Sequence, residues 1–68
     1  MNAKQKLTSK VASQTTEALV SIARHLNLKT SREEIIVQIE VERELEKRLS
    51  SDEFVALMSE FEAELMAV

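Results

Sequence analysis

A chain of 68 residues that contains no glycine and no proline has few ways to turn sharply. Glycine supplies positive φ and proline pre-sets tight turns, so hairpin turns, strained elbows and phosphate-cradling loops all lose their usual residues. Helices joined by short connections are the expected outcome. Cysteine is also absent and His25 is the only histidine, which excludes disulfides and a Cys/His zinc cluster. A chain this short encloses a thin core, and without covalent or metal staples, oligomerisation is the remaining way to bury more apolar surface. The sequence therefore predicts one domain over 1–68 that works as a homo-oligomer, a dimer first, with no cofactor and no metal. It has no run of about 18 apolar residues to span a membrane and no apolar block of a secretion signal, so a cytoplasmic location is expected.

Apolar spacing divides the chain. Phe54, Leu57, Met58, Phe61 and Leu65 recur at steps of three or four, which lines one face of a helix. Ser50 and Glu53 form an S-x-x-E capping box ahead of that stripe, and the helix is predicted over about 51–67. A second such box, Ser31 with Glu34, precedes Val37, Val41, Leu45 and Leu49 at four-residue steps, predicting a helix over about 31–49. Ile35, Val37, Ile39 and Val41 also alternate, as in a half-buried strand. Ile36 interrupts that alternation, and the Glu-rich continuation through Arg48 consists of good helix formers, so helix is the reading.

Upstream, Leu19, Ile22, Ala23 and Leu26 sit at helical spacing, and Asn27 is the non-glycine type that best tolerates a left-handed helix end. A helix is predicted over about 15–27. The three-residue connection Leu28–Thr30 makes this helix and the next a helix-turn-helix pair. Residues 6–12 read two ways. Leu7 and Val11 suit an N-terminal extension of the first helix. Leu7, Ser9 and Val11 alternate with their neighbours as in a short strand ahead of a Thr15 or Thr16 cap. The overall class is mainly α in either case.

Charge is split along the chain. Through residue 30, five basic residues face one acidic; from 31 onward, four basic residues face eleven acidic. Such asymmetry suits a front half that meets a polyanion and a back half that meets something else. The front segment has no aromatic residue among its lysines, which disfavours single-strand binding by base stacking. Lys6, Thr8 and Lys10 could instead reach phosphates and base edges in a duplex major groove, which admits a helix or a β-ribbon.

His25, beside the stripe of the first helix, has no visible partner to orient its ring. It is read as a helix-flank residue, and no catalytic residue is assigned. The carboxylates at 40, 42, 44, 46 and at 60, 62, 64 lack the Glu-x-x-His spacing of di-iron bundles and are read as hydrated surface. In the tail helix, Phe54, Leu57, Met58, Phe61 and Leu65 form an apolar stripe that must be buried against its own chain, a copy, or a protein partner.

The order of a possible Leu7–Ala12 strand, a helix near 15–27, a short turn and a helix from 31, with Ser21-Ile22-Ala23-Arg24 and Thr30-Ser31-Arg32-Glu33-Glu34-Ile35-Ile36 at the join, resembles the ribbon-helix-helix DNA-binding family of Arc and MetJ type. That resemblance covers about 6–49. It implies a dimer whose paired strands project Lys6, Thr8 and Lys10 toward bases, with the amides around Thr30, Ser31 and Arg32 holding a phosphate. Residues 50–68 are similar to the acidic tails with which antitoxins of that family clasp a protein. Two functions follow as expectations: a dimeric DNA-binding transcriptional regulator, antitoxin-like in its tail, or an all-helical protein-interaction module, such as a small phage- or plasmid-type inhibitor or adaptor, with no DNA binding.

Overall fold

The computed structural model describes residues 2–67. They form four helices: α1 (Ala3–Ala12), α2 (Thr16–Leu26), α3 (Arg32–Arg48) and α4 (Ser51–Met66). No strand occurs among the described residues. This corrects the fold expectation, because a ribbon-helix-helix protein needs a strand where α1 stands. Nor is α1 an extension of α2, since Ser13, Gln14 and Thr15 separate the two helices.

The cause lies in local hydrogen bonding that the alternation of Leu7, Ser9 and Val11 obscures. Asn2 and Gln5 form a capping box: Asn2 Oδ1 accepts from the Gln5 amide at 2.8 Å and Gln5 Oε1 accepts from the Asn2 amide at 3.0 Å. Two of the four unpaired amides of a helix start are thereby satisfied. Thr8, a poor helix-interior residue, directs its hydroxyl back to the Lys4 carbonyl at 3.0 Å, and Ser13 bonds the Lys10 carbonyl at 2.7 Å. Hydroxyls that would compete with the helix instead bond its own carbonyls. Leu7 and Val11, four residues apart, then share the face turned to the core.

The remaining helices start on side-chain caps. Thr15 Oγ1 accepts from the Ala18 amide at 3.1 Å, and Ser31 Oγ from the Glu34 amide at 3.3 Å. At α4, Ser50 Oγ accepts from the Glu53 amide at 3.2 Å while the Glu53 carboxylate accepts from the Ser50 amide at 2.9 Å. The Ser50 amide and hydroxyl together hold the Glu53 carboxyl below the usual carboxylate range.

α3 is the central element, packed against the other three helices. One core cluster joins all four: Val11 from α1, Leu19 and Ala23 from α2, Val41 and Leu45 from α3, and Leu57 and Phe61 from α4. The Cα extents are 39 × 28 × 15 Å. The short dimension is that of two helix layers packed about 10 Å apart, so the core is a single shallow layer between them.

Asn27 closes the far side of that layer by a route other than the left-handed cap expected of it. Its backbone is right-handed helical at φ −57° and ψ −34°. The buried side chain does the work: Nδ2 donates to the Phe61 carbonyl at 2.9 Å and to Glu64 Oε2 at 3.3 Å, while Oδ1 faces the Gln38 amide at 3.5 Å. Asn27 thus ties the end of α2 to α4 and α3. Asn27→Gly, which would relieve a left-handed cap, is expected instead to cost about 1–3 kcal/mol in urea unfolding, by loss of buried hydrogen bonds. Unchanged or raised stability would remove the side-chain tie as the reason for asparagine here.

Candidate functional site

A helix that reads as one apolar stripe has one inner face, and α3 has two. Val37, Val41 and Leu45 point inward. Ile35 and Ile39 fall about 160° round the helix from Val37 and Val41 at 100° per residue. Ile36 lies further round on the exposed side. All three isoleucines are substantially open, with Ile36 and Ile39 each 48% exposed. The alternation of Ile35, Val37, Ile39 and Val41 is therefore the mark of two apolar faces on one helix rather than of a strand. Sequence reasoning missed this face, and that alternation was the signal that could have found it.

Across from Ile35 and Ile39 stands α4. Between the two helices runs an open groove of about 310 Å³. Ile35 and Ile39 form one wall, Met58 and Leu65 the other, and the buried Phe61 and Asn27 lie at its base. Leu65 is 52% exposed, and the exposed Val55 and Met66 continue the apolar surface of α4. Besides Asn27, the polar residues of the groove are Gln38, Glu42 and Glu62. Burial pushes the Glu42 carboxyl above the usual carboxylate range, with the Gln38 amide pulling the other way. The ion pairs among the described residues join Arg24 to Glu60 and Glu64, Arg43 to Glu40, and Arg48 to Glu44; none reaches Glu42 or Glu62.

The five residues expected to bind a partner are divided by the fold. Leu57 and Phe61 belong to the protein's own core, and Phe54 and Met58 are half-buried against it. Leu65 alone of the five is open. The tail segment folds on its own chain, held from α2 by Arg24, which donates to Glu64 at 2.7 Å and Glu60 at 3.1 Å with its guanidinium 5.5 Å from the Phe61 ring centre. What stays exposed is the edge of that stripe, beside the isoleucines of α3.

The residues expected to contact DNA are also divided. On a strand, Lys6, Thr8 and Lys10 would share a face. On α1, Thr8 falls about 160° from both lysines, and its hydroxyl reaches Glu40 of α3 at 3.3 Å. Lys6 is exposed, and Lys10 borders a separate apolar cleft beside Leu7, Ile22 and Val37. Thr30, Ser31 and Arg32 lie exposed at the turn into α3. There the Ser31 hydroxyl caps the helix and donates to the Glu34 carboxylate at 2.6 Å, and Glu33 and Glu34 occupy the first turn. Two carboxylates already stand at the positive end of that helix, where a phosphate would have to sit. His25 is exposed in the last turn of α2. No group of three or more His, Cys, Asp or Glu residues suited to a metal occurs among the described residues, and no described helix is long and apolar enough to cross a membrane.

Comparison of the chain with protein-family models, with curated proteins and with solved structures found no match.

Proposed function

We propose that this protein is a small all-helical interaction module that takes a helix of another protein into the groove between α3 and α4. The observation that carries the reading is the open apolar wall of Ile35 and Ile39 facing Met58 and Leu65 across that groove. Apolar residues at this density on one side of a small domain mark an interaction surface. An amphipathic helix laid into an apolar groove is a recurring mode of recognition. Total surface supports it: the chain exposes 4967 Å², several hundred more than the ~4,300 Å² typical of a compact monomer of 7.7 kDa. The charge split needs no nucleic acid to account for it, since basic α1 packs on acidic α3.

The test is calorimetric titration with a synthetic amphipathic helix of about four turns that carries Leu and Ile at i, i+3, i+4 and i+7 and glutamine on its flanks. Saturable binding is expected, weakened at least about tenfold by Ile39→Glu, which places a charge in the apolar wall. The helical circular dichroism of Ile39→Glu should be unchanged, because the residue lies outside the core. Binding of duplex DNA at low salt that Lys10→Ala weakens, with no uptake of the peptide, would replace this reading by a DNA-binding one.

A further inference from the structure

The charged residues of the groove are of one sign. Glu42 stands on the α3 side and Glu62 on the α4 side, and no lysine or arginine lines the groove. Both carboxylates lack an ion-pair partner among the described residues, while Glu40, Glu44, Glu60 and Glu64 on the same two helices each have an arginine. Glu42 and Glu62 are the carboxylates that line the apolar channel, one on each helix.

We infer that the groove selects a cationic amphipathic helix, one whose apolar face carries lysine or arginine along both edges; this rests on the groove being a protein-docking site. An occupying helix that buries its apolar residues between Ile39 and Leu65 brings its edge residues against Glu42 and Glu62. Lysine and arginine can lay their aliphatic stems along the isoleucine and methionine side chains and still present a charge to a carboxylate. A glutamate at those edges would stand beside a like charge in a partly dehydrated groove. Discrimination by such juxtaposed charges is a common source of partner specificity. A second copy of this chain would have to bring the same two carboxylates toward their own images in a two-fold interface, which charge opposes.

Three peptides with identical apolar faces and edges of lysine, glutamine or glutamate separate the possibilities, titrated against the full chain at low and moderate salt. The expected order of affinity is lysine, then glutamine, then glutamate, with about tenfold or more between the extremes at low salt and less as salt rises. The double variant Glu42→Gln/Glu62→Gln should bring the three peptides to within about threefold of one another while glutamine-edged binding persists. Equal binding of all three by the unaltered chain would overturn the charge selection and leave the docking groove standing. Failure of every peptide would remove the groove itself. Sedimentation that shows the free chain self-associating through this face, blocked by Ile39→Glu, would assign the groove to a second copy and overturn the proposal.

Discussion

Leu45→Ala is expected to leave the protein largely unfolded in water. Leu45 is fully enclosed at the centre of α3, the helix that touches all the others. Removing a buried leucine side chain costs about 2.7–5 kcal/mol, the upper part of that range where the surroundings cannot collapse into the cavity. A core in a chain of this length supplies only about 3–5 kcal/mol of net stability. The two quantities are comparable, so urea unfolding followed at 222 nm should lose most of its folded baseline. Ile36→Ala is the matched control: it removes an exposed aliphatic side chain from the same helix and should shift stability by no more than about 0.5 kcal/mol. Similar losses in the two variants would mean that Leu45 is not enclosed as described.

The second large effect belongs to Arg48, at the last turn of α3. Its guanidinium donates to the Gln14 carbonyl at 2.7 Å, the Ala12 carbonyl at 3.0 Å and Thr16 Oγ1 at 3.3 Å, while Nε donates to Glu44 at 2.9 Å. One side chain thereby closes the end of α1, the turn that follows it and the start of α2. The Ala12 carbonyl is among those that a helix end leaves without an internal partner. With the side chain only 22% exposed, Arg48→Met should cost about 2–3 kcal/mol, since it strips a charged donor from several acceptors at once. Amide exchange should quicken first in α1, whose one buried residue is Val11. Arg48→Lys keeps the charge but not the planar fork, and is expected to restore less than half of the loss. Full restoration by lysine would show that charge alone, not the shared geometry, holds the α1–α2 turn.

Much of the helical pattern was legible because its causes are local. The Ser31 and Ser50 caps act on amides three residues on, and they mark the starts of α3 and α4 where the chain itself displays them. α1 was harder to read, although its own signal, Asn2 with Gln5, was equally local. It was hidden by serines and threonines whose propensity argues against a helix until their hydroxyls are given carbonyls to bond. Arg48 shows a different limit. Along the sequence it looks like one partner in a weak helix-face ion pair with Glu44, and nothing nearby reveals that it also reaches residues 32–36 positions away.

The groove lay beyond sequence reasoning for the same reason. Phe54, Leu57, Met58, Phe61 and Leu65 form one stripe, and spacing gives no means of telling that Leu57 and Phe61 are consumed by the core while Leu65 stays open. Ile35 and Ile39 were visible only as an awkward alternation. Helicity and most helix starts follow from the residues locally, because breakers, caps and propensities act within one turn. Which apolar face is buried, which stays open, and which carboxylates are left without a cation follow from how the helices pack. Those outcomes depend on how faces pair across more than thirty residues, as when Asn27 meets Phe61 and Thr8 meets Glu40, and no local rule reaches that far.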